Sequence, residues 1–429
     1  MNKPDGKTIL FFFSGVTLFL WLLSKSSFSI ITDDPLRSTS QVFSLLGLLL
    51  MMISLILSTR KRFIEDVFGG LDRVYEIHHV VGSLSFILLI NHPLLLVVKA
   101  IPSPVGMAQY LLPGDFLPYN LGIFALYFMI LAFIFMIFIR LPYHIWKRTH
   151  QFLGIAGILG GIHALLITSD ISVYMPLRIW MVFWIGSGII SFIYIFLYYN
   201  ALGAIYAYEI IRIERFLDII NIYAKPVNRK ISFMPGQFAY VGFNNPSIGR
   251  EQHPYSFSSG PDDEELRFSI KMVGDYTVRL PLLKEGDKMY IKGPYGKFGD
   301  MYIDGKKPLV WIVGGIGITP FLSMLHYQSQ LVDERAILLY YCFSTKEEGV
   351  FIDEIQKLVQ EKKSIQVFPW CSQEKGRLSV DGIIDILGKY DDYDVQICGP
   401  GLMMESLKDQ FEAIGLDDKR IRFEAFEMI

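Results

Sequence analysis

Residues 75–98 read YEIHHVVGSLSFILLINHPLLLVV, and residues 149–168 read THQFLGIAGILGGIHALLIT. A membrane-spanning helix needs roughly 20 apolar residues, and both stretches are that long. Yet the first holds His78, His79 and His92, and the second holds His150 and His163. An imidazole in hydrocarbon is expensive and marks function by default. His78 and His92 are 14 residues apart, a rise of about 21 Å that returns to within roughly 40° of the same helix face. Two such pairs on two helices suit two metals held one above the other, and bis-histidine haems are the natural candidates. His150 and His163 are 13 apart. A straight helix would turn the second ring about 140° away. A locally tightened turn, with Gly154, Gly157, Gly160 and Gly161 giving the freedom, is the expected correction. His79 to His92 is also 13 residues, so His79 is an alternative to His78 as the inner ligand. His144 lies in the basic segment Leu141–Arg148 and reads as an interfacial loop residue.

Working outward, the 429-residue chain divides sharply. Residues 8–202 hold nearly all the long apolar runs, and mean hydropathy is +0.37. Six spans are expected at about 8–25, 40–58, 75–98, 119–140, 149–168 and 178–202. The run from Ile9 to Leu23 has no small-residue cleavage site and reads as a retained first span, not a secretory signal. With the N-terminus inside, the inner segments carry nine Lys or Arg and the outer segments four. The positive-inside rule then puts both termini in the cytosol. A formal net charge of −2 gives no ground for nucleic-acid binding. The three cysteines, Cys342, Cys371 and Cys398, are widely spaced without a CxxC, which argues against a disulfide framework or a zinc site.

The second half reads as two further domains. Short alternating runs at Tyr208–Arg212, Phe238–Phe243, Leu266–Met272 and Lys288–Lys292 suit a small antiparallel barrel. Within it, His253-Pro254-Tyr255-Ser256 offers a tyrosine to pack on a flavin and a serine to bond near its redox-active nitrogen. Lys271 and Gly274-Asp275-Tyr276-Thr277 offer a cation, backbone amides and a hydroxyl for a pyrophosphate. From residue 305 strands and helices alternate. Gly314-Gly315-Ile316-Gly317-Ile318-Thr319-Pro320 joins a buried strand to a helix, a variant of the dinucleotide-binding turn. Strand ends at Ser344-Thr345-Lys346 and Cys398-Gly399-Pro400 point to the same ligand. Ser344, Lys346 and Arg377 are candidates to grip a 2′-phosphate, which favours NADPH, with NADH the alternative.

Taken together, the four histidines, Pro235-Gly236-Gln237-Phe238, His253-Pro254-Tyr255-Ser256, Gly274-Asp275-Tyr276-Thr277, Gly293-Pro294-Tyr295-Gly296, Gly314–Pro320 and Cys398-Gly399-Pro400 form a specific set. By them the chain resembles the NADPH oxidase and ferric reductase superfamily over almost its whole length. The resemblance implies a six-helix transmembrane di-haem domain at 1–204, an FAD-binding antiparallel β-barrel at 205–304 and a doubly wound α/β NAD(P)H-binding domain at 305–429. It implies FAD, two haem b and NADPH as cofactors, His78 and His150 on the inner haem, and His92 and His163 on the outer one. His253-Pro254 is closer to the oxidases, since soluble reductases have arginine there. Phe426, in the ending Phe423-Glu424-Ala425-Phe426, corresponds to an aromatic that stacks on the flavin, and Cys398, in the matched Cys398-Gly399-Pro400, is a candidate catalytic and cofactor-binding residue. One departure is Leu96, where animal oxidases carry an extra outer histidine. Arg178, at the outer start of span six, is the candidate positive charge for a forming superoxide. The expected protein sits in the plasma membrane and reduces oxygen to superoxide outside, with ferric-chelate reduction the alternative, and without an obligatory protein partner. Delivery of electrons to a bound partner is the alternative from another class.

Overall fold

A computed structural model of the chain describes residues 6–101, 103–139, 141, 143–199, 205–249, 251–329, 335–387 and 393–424. The chain forms two compact units, residues 1–69 with 73–203, and residues 70–72 with 204–429.

The first unit is helical. Its long helices are α1 (Gly6–Leu23), α2 (Pro35–Leu57), α3 (Leu71–Lys99), α4 (Leu117–Phe133), α5 (Tyr143–Leu166) and α6 (Met175–Ile193). Each is long and apolar enough to cross a membrane once short π-helical extensions are added to α4 (Ile134–Phe138) and α6 (Tyr194–Tyr199). All six begin two to six residues earlier than the hydrophobic runs suggest. At α2 the reason is visible: Asp34 accepts the Arg37 N–H as a cap, and Pro35 fits the first turn, where no N–H is needed. In the same way α5 starts at Tyr143, so His144 lies in its first turn and not in a loop; the His144 side chain lies outside the described residues.

Helix α2 is central, with two-thirds of its span buried against less than a third for each of the others. The outward faces carry large apolar side chains such as Phe11, Phe12, Ile87 and Phe183, as a lipid-facing surface requires. Helix α5 is α-helical throughout, so the expected tightening between His150 and His163 is absent. Its glycines serve close approach instead. A Cβ on Gly154 would fall 2.0 Å from the Phe192 ring, and one on Gly161 would fall 2.8 Å from Ile185. Small residues let apolar helices gain van der Waals contact where no hydrophobic effect drives them together.

The second unit holds two sheets. The first is antiparallel and curled, in the order β4 (His253–Ser256), β3 (Phe238–Phe243), β6 (Lys288–Tyr295), β1 (Tyr206–Phe216), β2 (Ile219–Pro226), β5 (Leu266–Lys271). It encloses a core of Ile220, Ile222, Val241, Phe257, Phe268 and Met289. The second is parallel, in the order β11 (Ile421–Glu424), β10 (Asp394–Cys398), β7 (Leu309–Gly314), β8 (Ile337–Phe343), β9 (Ile365–Cys371). The chain winds outward from β7 through β8 to β9, then returns to β10 on the other side. The switch point, where ligands bind in such sheets, is therefore the crevice between β7 and β10.

Candidate functional sites

Helices α2 and α3 run antiparallel along a seam of matched positions seven residues apart. Ser40 meets His92, Gly47 meets Ser85, and Ser54 meets His78. Ser85 donates to the Gly47 carbonyl at 2.8 Å. A Cβ on Gly47 would crowd Leu89 at 2.8 Å, so the glycine sets the approach. His92 Nδ1 lies 2.7 Å from Ser40 Oγ and 3.0 Å from Ser40 O; His78 Nδ1 lies 3.0 Å from both Ser54 Oγ and Ser54 O. A carbonyl only accepts, so Nδ1 carries the proton in each ring and Nε2 is left with its lone pair. That is the tautomer a metal ligand needs, oriented by a supporting hydrogen bond.

The second pair is held from α4 and its π-helical extension. His163 Nδ1 donates to the Pro118 carbonyl at 2.7 Å, and a Cβ on Gly122 would press the same ring at 3.1 Å. His150 Nδ1 faces Met136 Sδ, a weak acceptor, at 3.4 Å, and its ring stacks on Trp146. Met136 lies in the π turn, a distortion often found at functional sites.

The rings of His78 and His150 face each other with centroids 6.0 Å apart. Two imidazoles sharing one metal at nitrogen–metal bonds of about 2 Å stand about 6 Å apart, so the spacing fits an iron between them. His79 is exposed on another face of α3. His92 and His163 lie within electrostatic reach of each other. Among the described residues no group of three or more His, Cys, Asp or Glu side chains is placed to hold a metal ion. A bare ion with an all-protein shell therefore does not fit, while a haem iron, which brings four nitrogens and needs two more ligands, does. The serines were missed in the sequence; their 14-residue spacing, Ser40 to Ser54, copies that of His78 to His92 and was the available signal. Replacing Ser40 by Ala should loosen His92 and lower retention of the group it binds about 10- to 100-fold, read by titrating haem into the apoprotein.

At the bundle end away from the N-terminus, Lys25 reaches Asp170 at 2.7 Å and Gln41 Oε1 at 2.9 Å, and Lys99 pairs with Asp34. Two of the acidic residues at that end are thus neutralised. Arg178 is exposed in the first turn of α6 and has no ion pair among the described residues. A cavity of about 290 Å³, lined by Gln109, Asp115, Phe116, Tyr119 and Asn120, adjoins the first turn of α4, which carries Pro118.

In the second unit, the switch-point crevice gathers two motifs far apart in sequence. Gly315 has φ +53°, a conformation that favours glycine. A Cβ on Gly317 would fall 2.4 Å from the Cys398 carbonyl oxygen, and one on Gly314 would fall 2.6 Å from Pro400. The turn continues into α7 (Thr319–Ser329), beginning Thr319-Pro320, whose N-terminus is suited to phosphate. Cys398 is fully buried; that burial, reinforced by the Glu424 carboxylate, pushes its thiol well up, so it is a neutral thiol and not a nucleophilic thiolate. Gly399 packs on Gly314. Ser344 and Lys346 follow β8, and Arg377 follows the adjacent β9. All three are exposed, but Lys346 is held by Glu374 at 2.7 Å. Phe426 lies outside the described residues.

On the barrel, the Tyr255 hydroxyl is buried with no hydrogen-bond partner among the described residues, and burial raises its pKa. An orphaned hydroxyl on a flat ring beside buried Ser256 fits a flavin that brings its own polar atoms. His253 pairs with Glu251 at 3.2 Å and lies over Tyr276, with ring centroids 4.2 Å apart. Pro254 pairs with Tyr240 across the sheet. The expected pyrophosphate turn is partly self-satisfied. Thr277 Oγ1 accepts from Gly274 N–H at 2.9 Å and Val273 N–H at 3.1 Å, Asp275 caps Tyr276 N–H, and Lys271 pairs with Asp218 at 3.2 Å. The reason is local: a side-chain oxygen within four residues competes for the turn's amides. Gln237 has a structural part, bonding Met234 N–H and the Gly296 carbonyl and so tying two motifs together.

Three families with known members match separate stretches of the chain. Residues 43–161 match the family described as ferric reductase like transmembrane component, 210–298 an FAD-binding domain and 311–409 an oxidoreductase NAD-binding domain. The chain therefore has the NADPH oxidase and ferric reductase-like architecture. A ferric reductase-like membrane component is thus followed by FAD-binding and oxidoreductase NAD-binding domains. It is 29% identical over 210 residues to the flavohemoprotein of Vibrio cholerae, covering 46% of this chain and 52% of that one. It is 32% identical over 224 residues to the flavohemoprotein of Pseudomonas putida, covering 49% and 55%. The chain thus spans about half the length of the curated relatives it matches. The solved flavohemoglobin of Malassezia yamatoensis aligns over 93% of this chain and 98% of its own at 16% identity and a TM-score of 0.52, a likeness of fold alone.

Proposed function

We propose that the protein carries electrons from cytosolic NADPH across the plasma membrane to oxygen outside, releasing superoxide. The observation that carries this reading is the doubled histidine arrangement, in which the Nδ1 of each ring has a partner and the rings of His78 and His150 stand 6.0 Å apart. His78 with His150 would hold an inner haem b, and His92 with His163 an outer one. Tyr255 and Ser256 would hold FAD, Gly314–Pro320 and Cys398–Pro400 the nucleotide, and Ser344, Lys346 and Arg377 its 2′-phosphate. When bound, FAD turns a two-electron donor into single-electron steps and haem relays them. One NADPH and two O₂ then yield NADP⁺, one proton and two superoxide ions.

The chain's own residues supply the supports. Ser40, Ser54 and the Pro118 carbonyl fix ring tautomers in an apolar bundle, and the glycine turn brings backbone close to the nucleotide. Oxygen is favoured over a ferric chelate because Asp170 and Asp34 are already paired with lysines. Ferric-chelate reduction is the second reading, favoured by the family match at residues 43–161. No obligatory protein partner is proposed.

The test is cytochrome c reduction by purified protein with FAD and NADPH, with and without superoxide dismutase. Loss of most of the signal to dismutase is expected. Strong reduction indifferent to dismutase would replace oxygen by another acceptor.

A further inference from the structure

A cluster of titratable side chains away from both sites joins the barrel to the nucleotide-binding lobe within the second unit. His326 lies on α7, seven residues beyond Thr319. Its Nδ1 is 3.1 Å from Asp263 Oδ2, in the turn before β5, and its Nε2 is 3.1 Å from Glu354 Oε1, on α8 (Ile352–Val359). Glu354 also receives both terminal nitrogens of Arg267, on β5, at 3.0 and 2.7 Å. Arg267 donates further to the Ser258 carbonyl at 2.8 Å. Asp263 accepts Gly260 N–H at 2.7 Å, and Lys230 donates to the Asp263 main-chain carbonyl. Glu264, Glu265 and Tyr223 line the same cavity of about 400 Å³.

A neutral imidazole has one N–H and one lone pair. With a carboxylate at each nitrogen, it would donate to one and turn its lone pair on the other. Only the imidazolium satisfies both. It also makes the charges of His326, Arg267, Asp263 and Glu354 sum to zero. The cluster spans the two lobes, and α7 is the helix that continues from the glycine turn. A shift of His326 is therefore transmitted along one rigid element over about 10 Å to the nucleotide crevice.

We propose that His326 is a positioning residue whose proton clasps the nucleotide-binding lobe to the barrel and so aligns NADPH for hydride transfer. The proposal rests on the hydride reading above. Burial pulls the imidazole down, but hydrogen bonds to Asp263 and Glu354 outweigh it and hold its pKa above the ordinary histidine value. The same bonds hold both carboxylates below theirs, against burial. A raised histidine contributes fully below its unfolded value of about 6.5 and is lost as pH rises through its folded value. The depressed carboxylates contribute above their ordinary range and are lost on acidification. The clasp is thus closed from mildly acidic to neutral pH and opens on the alkaline side.

The experiment is anaerobic stopped-flow reduction of the flavin by NADPH in the holoenzyme between pH 5.5 and 9, for wild type, His326→Gln and His326→Lys. The wild-type rate should fall about tenfold with rising pH, well within what misalignment costs a reaction. His326→Gln should be slow and flat across the range, and His326→Lys, charged throughout, should hold a pH-flat rate. A histidine-like pH profile surviving in both variants would overturn the clasp. Absence of flavin reduction in the wild type at every pH would instead overturn the hydride reading.

Discussion

His92→Ala is expected to lose half of the low-spin haem absorbance and nearly all reduction of the outer acceptor, while NADPH still bleaches the flavin. The expectation follows from position. His92 is one of two rings at the far end of the bundle, with Nδ1 fixed by Ser40, so its Nε2 has one orientation. Removing the ligand should cost more than the roughly 10- to 100-fold that removing a supporting partner costs. His163→Ala should behave alike, since His163 is fixed from the other side by Pro118. His79→Ala is the control: that ring is exposed, and both haem signals should survive its loss. Two haems retained in His92→Ala, or one lost in His79→Ala, would sink the ligand assignment.

The second large effect is expected at Gly317→Ala. The added methyl would meet the Cys398 carbonyl oxygen at 2.4 Å and Gly399 N at 2.9 Å, both backbone atoms. Neither can rotate aside as a side chain would, so the β7 and β10 strand ends must part. Overpacking of this kind costs about 1–3 kcal/mol. Because the parted strands form the nucleotide crevice, flavin reduction by NADPH should fall by about 100-fold. Gly315→Ala is a useful contrast. No atom lies within 4 Å of its added Cβ, and its strain comes only from φ +53°, a cost of about 1–2 kcal/mol. A denaturant titration and a flavin-reduction trace on both variants would decide. Equal behaviour of the two would mean that strand separation is not what matters.

Much of the architecture was legible locally. Apolar run length fixed the number of spans, period-two alternation marked the barrel strands, and glycine between strand and helix marked the nucleotide turn. These signals are local because helices and turns satisfy their hydrogen bonds within a few residues. Span limits were less legible, since caps such as Asp34 and Pro35 extend helices past the hydrophobic run. The seam of Ser40, Gly47 and Ser54 against His92, Ser85 and His78 was not legible, because a buried serine reads like any small residue until its partner on another helix is known. Likewise Lys271 and Thr277 look like phosphate ligands in sequence, yet each meets a neighbour's oxygen or amide in the fold. The clasp at His326 joins residues 63 and 28 positions away.

Residue type and short-range periodicity therefore settled which elements form and which chemistries are available. Only the folded chain decided which polar groups meet, because a hydrogen bond or ion pair depends on distances of about 3 Å, and long-range packing alone sets those distances.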